Sequence, residues 1–218
     1  SQAGILKGFK KLKKGKQLEL LPYVIGSQFS YRNDSYDPDS PFINDKVKGD
    51  LGIGIKYGFS SNLTGEISFN PDFSQVESDA AQINVNSSSA VFYPEKRPFF
   101  LDGANIFNSY INVVYTRMLN NPLYTAKLIG KIDDIDVGYL MGYDQSTPYI
   151  IPTKFGSDFI QTDLRSFGNA LRLKKSLKGS SFIGFIGTDH ETVDSYNRVA
   201  GFDGSFNFAE KYYFNWEA

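Results

Sequence analysis

The sequence lacks cysteine altogether and has one histidine and one tryptophan among 218 residues. Without cysteine the chain can hold no disulfide framework, no thiolate metal site and no cysteine nucleophile. Its net charge of −1 argues against a protein that binds nucleic acid by general electrostatic attraction. No apolar run approaches the roughly 18 to 20 residues of a transmembrane helix. We therefore predict no cofactor, no metal site and no nucleic-acid partner, in a protein of either the cytosol or the cell envelope.

Aromatic residues and glycine are abundant instead. Aromatic residues make up 16% of the chain, and there are 20 glycines. The stretch "VKGDLGIGIKYGF", which begins at Val47, alternates apolar and other residues with a period of two, and this period indicates a β-strand. The apolar side holds Val47, Leu51, Ile53, Ile55, Tyr57 and Phe59, and the other side holds Lys48, Asp50, Lys56 and glycines.

The same alternation continues along the chain and predicts an all-β protein of about ten or eleven strands without a helix. Short turns such as 60–62 fall at one end of the strands. Longer connections, at 32–46, 71–81, 144–160 and 189–195, fall at the other end, as in outer-membrane barrels.

Two antiparallel architectures fit the alternation. A soluble sandwich or barrel hides its apolar face, whereas a membrane barrel turns that face to lipid and lines its lumen with polar residues. The mixed charges on the polar side and the turn lengths favour an outer-membrane-type β-barrel over residues 17–218, incomplete at its C-terminus. The apolar residues of 47–57 then face lipid, and Lys48, Asp50 and Lys56 face the lumen. Residues 1–16 are predicted to be a basic linker, either solvated or held at anionic head groups.

Two stretches interrupt the alternation, "NPDFSQVESD" from Asn70 and "YPEKRPFFLDG" from Tyr93. We predict that Arg97 pairs with a carboxylate of the first stretch, because a confined guanidinium requires a partner. Phe99 and Phe100 should then pack against the barrel wall or lumen. The predicted structural or lumen cluster consists of Asp72, Glu77, Asp79, Glu95, Lys96, Arg97 and Asp102.

Other interpretations of these stretches stay open. Paired carboxylates could hydrolyse a glycosidic bond, although no spacing selects a pair. The first stretch has oxygen ligands but not the order of a calcium loop. A third possibility is that a sugar stacks on Tyr93, Phe99 and Phe100. His190, in the predicted loop "GTDHETVDS", is expected to be solvated.

Three segments resemble a family of Gram-negative outer-membrane proteins: "LELLPY" at 18–23, "YGFSSNLTGEISFNPDFSQVESD" at 57–79 and "YPEKRPFFLDGANIF" at 93–107. In longer members of this family, a domain like carbohydrate-binding module family 9 precedes a C-terminal β-barrel region. The family is sometimes labelled membrane-associated hydrolase. The resemblance extends more weakly over nearly the whole chain.

The expected function is an outer-membrane β-barrel scaffold or pore, attached in the full-length protein to a periplasmic carbohydrate-binding module. Its expected partners are outer-membrane lipid, carbohydrate and other envelope proteins, and no residue is predicted to be catalytic. Two alternatives stay open: a membrane-embedded hydrolase acting on glycan or lipid, and a soluble all-β interaction domain.

Overall fold

A computed structural model describes residues 17–34, 36–37, 39–71, 94–153, 156–208 and 211–218. The predicted linker at 1–16 and the candidate residues Asp72, Glu77, Asp79 and Tyr93 lie outside this part of the chain, as does the stretch 78–93 expected to supply a strand. The described strands are β1 (Leu18–Ser27), β2 (Ser30–Arg32), β3 (Phe42–Asn44), β4 (Lys48–Gly58), β5 (Leu63–Phe69), β6 (Pro122–Ile132), β7 (Ile135–Asp144), β8 (Pro148–Thr153), β9 (Gly156–Gln161), β10 (Ser166–Ser176), β11 (Phe182–Thr192), β12 (Tyr196–Phe208) and β13 (Tyr212–Glu217).

Nine of these strands form one antiparallel sheet in the order β1-β4-β5-β6-β7-β10-β11-β12-β13. The two small hairpins, β2–β3 and β8–β9, sit within two of the long connections. The all-β, antiparallel prediction is therefore confirmed. The connection expected to be long at 189–195 is instead a tight turn, because β11 continues to Thr192 and β12 starts at Tyr196.

Helical structure in the described chain is short. One α-helix, α1, covers Pro98–Leu101, and its proline lies in the first turn, where no backbone N–H is needed. Three 3₁₀ turns cover Ala104–Phe107, Thr116–Met118 and Lys178–Ser180. Within the described ranges, no helix combines the length and apolarity required to cross a membrane.

The large sheet has two edges in the described part of the chain. β1 pairs only with β4, and β13 pairs only with β12, so no ladder joins the two outermost strands. These nine strands alone therefore do not form a closed barrel, and the outer-membrane-type barrel, which the sequence predicts to be incomplete at its C-terminus, stays a prediction. An edge at the strand that leads to Ala218 was expected from the sequence.

The two faces of the sheet differ in chemistry. Residues directly opposite one another in neighbouring strands share a face, and the register can therefore be followed from strand to strand. One such level runs Lys56, Glu66, Lys127, Leu140, Ala170 and Thr188. We call the face that carries this level the polar face. The opposite, apolar face carries Leu51, Ile53, Ile55 and Tyr57 of β4, as the alternation predicted.

In the sheet of a soluble protein the apolar face is buried and the polar face is exposed, and here this distribution is reversed. Thr125, Asp144, Arg172 and Asp203, all on the polar face, are almost fully buried. On the apolar face, large side chains are exposed, among them Leu51 at 71% and Phe202 at 57%. Over β5 to β12 the chain therefore covers its charged side and leaves its hydrophobic side open, whereas Lys48 and Asp50 at the start of β4 are exposed.

A buried ion pair on the polar face spans three strands. The Arg172 guanidinium of β10 lies 2.5 and 2.7 Å from the two carboxylate oxygens of Asp203 in β12, and both side chains are 1% exposed. The strand between them, β11, carries Gly184 directly opposite Asp203. A Cβ at Gly184 would lie 2.6 Å from the Arg172 Nη1 atom and closer still to the Asp203 Oδ1 atom. Glycine is thus required here for the guanidinium to cross β11.

We predict that Gly184→Ala lowers the free energy of unfolding by about 1 to 3 kcal/mol, because the new methyl group pushes into a closed ion pair. Chemical denaturation measures this change. Gly26→Ala is the matched control, since a Cβ there meets nothing within 4 Å, and it should change the free energy by no more than about 0.5 kcal/mol. Equal effects of the two substitutions would contradict the steric explanation.

Candidate functional site on the polar face

A segment of the chain between β5 and β6 lies across the polar face. We call residues 94–121 the insert. Its side chains occupy space left by glycines of the sheet: a Cβ at Gly138 would contact Ile106 and Phe107, and one at Gly142 would contact Leu119. Because these contacts are closer than real Cβ atoms allow, glycine at both positions lets the insert approach the sheet backbone.

The apolar centre of this contact is formed by Phe99, Phe100 and Leu119 of the insert with Leu140 and Ala170 of the sheet. The two phenyl rings meet edge to face, with centroids 5.0 Å apart. They are 8% and 3% exposed, so they pack against the sheet as the structural interpretation expects. Neither ring offers an open face for a stacked sugar in this conformation.

Arg97 is the centre of the hydrogen bonding inside the insert. Its guanidinium donates to both carboxylate oxygens of Glu95, at 2.8 and 2.7 Å, and to the carbonyl oxygens of Thr116 and Leu119. It also lies 4.1 Å from the centroid of the Phe100 ring. Arg97 thereby ties the start of the insert to its end.

The described carboxylate partner of Arg97 comes from its own stretch. Sequence reasoning placed Glu95 in the same cluster but predicted that the carboxylate paired with Arg97 belongs to "NPDFSQVESD". The three acidic residues of that stretch lie outside the described chain. Lys96 donates its backbone N–H to the Glu95 carboxylate. Thr116 donates its hydroxyl to the other Glu95 oxygen at 2.5 Å, which sequence reasoning did not anticipate because the two residues are far apart in the chain.

A second charged cluster joins the insert to the sheet. The Lys56 ammonium lies 2.8 Å from the Asp102 carboxylate. The Lys127 ammonium is buried between the Glu66 carboxylate at 3.3 Å and Asp102 at 3.9 Å, and it also donates to the carbonyl oxygens of Phe99 and Asp102. Glu66 and Lys127 were not predicted as site residues, although their alternation in β5 and β6 already assigned them to the polar side.

A buried carboxylate fixes the far end of the insert. Asp144, at the end of β7, accepts the backbone N–H groups of Asn120 and Asn121. Its carboxylate also accepts the N–H of Ser146 at 3.3 Å. Hydrogen bonds between a charged group and backbone N–H groups are among the stronger ones in proteins. The insert is therefore held at its start, middle and end.

The acidic groups of the insert are held in the charged form. Burial raises the pKa of Glu95, but hydrogen bonds from Arg97 and Thr116 outweigh burial and bring that pKa down to about 2. The hydrogen bond from the Lys56 ammonium lowers the pKa of Asp102, against a smaller opposing effect of burial. Both carboxylates are thus ion-pair partners at neutral pH.

No group of three or more histidine or acidic side chains able to hold a metal occurs in the described ranges. The described carboxylates of the predicted cluster, Glu95 and Asp102, are each bonded to a cation. The arrangement therefore supplies structural ion pairs, and the hydrolytic alternative stays a prediction.

A cavity of about 500 Å³ lies between the insert and strands β7 and β10–β12. The insert contributes residues 113–116, 118 and 119, and the hairpin β8–β9 contributes Tyr149. His190, which the sequence placed in a solvated loop, lies on β11 and lines this cavity. Its Nε2 atom is buried and has no hydrogen-bond partner in the described chain. The error arose because β11 is longer than the alternation indicated.

We predict that Glu95→Gln weakens the acid dependence of unfolding. The pKa of Glu95 lies below its ordinary value of 4.5, so its carboxylate stabilises the fold above pH 4.5, and this stabilisation is lost as pH falls towards about 2. Denaturation midpoints measured over that pH range should therefore fall less steeply for the variant. Glu19→Gln, at an exposed position of β1, is the control and should keep the parent slope; a parent slope in Glu95→Gln would refute the role of Glu95.

Comparison with protein families gives one finding for this chain. Residues 16–130 match the family described as "Domain of unknown function (DUF5916)". This range contains β1 to β5, the insert and most of β6. Neither curated proteins nor solved structures gave a match. Since the matched range covers more than half of the 218 residues, the chain belongs to the DUF5916 family.

Proposed function

We propose that this chain forms part of the wall of an outer-membrane β-barrel, with the insert lying in the lumen. The observation that carries the proposal is the inverted burial of the nine-stranded sheet, whose polar face is covered and whose apolar face is exposed. Membrane barrels have this distribution because their outer surface contacts lipid and their interior is polar. Soluble monomers rarely expose contiguous apolar patches of more than a few hundred Å².

The position of the apolar band gives separate support. In β11 and β12 the apolar face carries the Asp189–Arg198 ion pair. When the residues opposite Asp189 are followed from strand to strand, the position reached in β4 is the apolar residue Ile55. At the opposite end of the strands, Phe206 of β12 and Phe214 of β13 lie opposite each other on the apolar face. This pair lies further along the sheet than the turn between β6 and β7. The band thus runs obliquely to the hydrogen bonds, as it must when strands are tilted in a membrane of constant thickness.

The insert determines which kind of barrel we propose. It covers charged residues of the wall and is held there by Lys56, Lys127 and Asp144. A lumen closed by an ordered segment suits a scaffold or a gated pore better than a permanently open channel. We therefore propose a barrel scaffold with an occupied lumen.

The two sheet edges set a requirement for this function. Unpaired backbone N–H and C=O groups are not tolerated in hydrocarbon. In the membrane, β1 and β13 must therefore be paired, either with each other or with strands outside the described part of the chain, so that the barrel closes. This requirement distinguishes the proposal from a soluble all-β interaction domain, which needs no such pairing.

The resemblance to outer-membrane proteins extends the proposal to partners. It implies a periplasmic carbohydrate-binding module in longer chains and hence contact with carbohydrate and envelope proteins. It also carries the label of a membrane-associated hydrolase. We place the scaffold first, because the ion-paired state of Glu95 and Asp102 supports a structural role for the insert.

Because the chain has no cysteine, single cysteines carrying spin labels test the orientation of the sheet directly. In lipid vesicles, labels at Leu51 and Phe202 on the apolar face should collide with oxygen and be shielded from a water-soluble nickel complex. Labels at Thr64 and Ser205 on the polar face should collide with oxygen less often than the labels at Leu51 and Phe202. A protein that is monomeric without detergent, or whose Leu51 and Phe202 labels meet the nickel complex freely, would exclude the membrane assignment.

Ile53→Arg provides an energetic test. If Ile53 lies near the middle of the bilayer, this substitution should cost about 2 to 4 kcal/mol of folding free energy in lipid, because the guanidinium must be removed from water. Ile53→Leu is the control and should be close to neutral. Refolding into vesicles measures both, and an unchanged stability for Ile53→Arg would argue that β4 faces water.

A further inference from the structure

The cavity beside His190 has a wall suited to a ligand rather than to dense packing. Gly168 and Ala170 of β10 lie directly opposite His190 and Thr188 of β11. Gly168 has no side chain and Ala170 has only a methyl group, so little of β10 projects above the sheet here, and Leu119 of the insert approaches Gly168 from one side. The insert crosses above it with residues 113–119 and closes part of the opening. The resulting volume, about 500 Å³, is within the range of small-molecule sites.

Three neutral hydrogen-bonding side chains share one side of the cavity. Thr188 and His190 are two residues apart on β11 and so share the polar face, and Asn197 of β12 is directly opposite His190. None of the three side chains makes a hydrogen bond within the described chain. For His190 the unbonded Nε2 atom is also buried. A buried polar atom without a partner is destabilising, so this side of the cavity favours a ligand with hydroxyl or amide groups.

Most of the remaining lining is apolar or aromatic. Three further polar side chains in it already have hydrogen-bond partners within the chain: Thr116, Asn169 and Ser195. Leu119 and Leu140 form one part, and Tyr115 and Tyr149 add rings from the insert and from β8. Such a surface suits the C–H face of a ring better than a fully solvated polar molecule. A purely apolar ligand, in turn, would leave the hydrogen-bonding groups of β11 and β12 unsatisfied.

The cavity offers no counter-charge for an ion at pH 8, where imidazole is uncharged. The one acidic residue in its lining, Asp189, has its carboxylate on the apolar face, where it bonds to the Arg198 guanidinium at 2.9 Å. No lysine, arginine or glutamate lines the cavity in the described chain. A charged ligand would lose its hydration without compensation. The fitting molecule is uncharged, with hydroxyl groups along its edge and an apolar ring face.

We propose that this cavity binds a small neutral saccharide. Thr188, His190 and Asn197 hydrogen-bond its hydroxyl groups, and Tyr115 and Tyr149 contact its ring. The proposal stands on the cavity alone and does not depend on the membrane assignment. A failure of the spin-label test would leave it intact, and absence of saccharide binding would leave the barrel proposal intact.

Ligand-observed saturation-transfer NMR on the full chain at pH 8 tests the proposal with maltose, cellobiose and lactose as probes. The detergent must have no sugar head group, because that group would itself compete for the site. At least one probe should bind saturably. Glucuronate, an anionic sugar, should bind at least tenfold more weakly than the neutral probe. Absence of saturable binding by all three, or equal binding of glucuronate, would overturn the proposal.

Variants locate the binding on the cavity. Thr188→Val and His190→Leu remove hydrogen-bonding groups with little change in side-chain size, and each should weaken binding about tenfold or more. Thr64→Val, on the polar face of β5 and outside the cavity, is the matched control and should bind as the parent does. Thermal unfolding confirms that each variant is folded. Parent-like affinity in both cavity variants would show that the saccharide binds elsewhere, which refutes the proposal.

Discussion

The rest of this structure depends on the ionic contacts and hydrogen bonds of the buried Lys127 ammonium. A buried charge is tolerated only with partners of good geometry. Lys127 takes one partner from the sheet, Glu66, and others from the insert, at Asp102 and the Phe99 carbonyl. The charged face of the sheet and the insert that covers it are therefore a single energetic unit. Removing the insert would return several charged groups to water, and separating the sheet from it would leave the Phe99 and Phe100 rings without a surface to pack on.

The same coupling explains why glycine is so frequent on the polar face. Several wall residues beneath the insert are either charged groups that the insert neutralises or glycines that let it pack on the backbone. Lys56 and Lys127 are of the first kind, and Gly138 and Gly142 are of the second. Beside His190 small wall residues are also present, but the insert fills the space above them only in part, with Leu119 over Gly168, and a cavity remains.

The sequence was most informative where the determining forces are local. Alternation with period two identified β4 and β5 and assigned Lys56 and Ile53 to opposite faces, because side-chain direction in a strand depends only on position. It could not identify the Arg97–Glu95 pairing or the Asp144 contact with Asn120 and Asn121, because both depend on how a long connection folds back. The place of His190 on a strand was missed for a related reason: polar residues at the end of β11 look like a loop when their cross-strand partners in β10 and β12 are unknown. The alternation within each strand also could not predict whether the sheet closes, since closure joins strands that are far apart in the chain.

Gly184 has a consequence for how the strands find their register. The Arg172 guanidinium can reach Asp203 only across a residue without a side chain. If β11 slid by two residues, the same face would present Phe182 or Ile186 beneath the guanidinium, and either side chain would block the ion pair. Hydrophobic alternation alone cannot reject such a slip, because a two-residue shift keeps every side chain on the face that it already occupies. The glycine therefore serves as a steric check during assembly, allowing β10, β11 and β12 to lock only in one alignment.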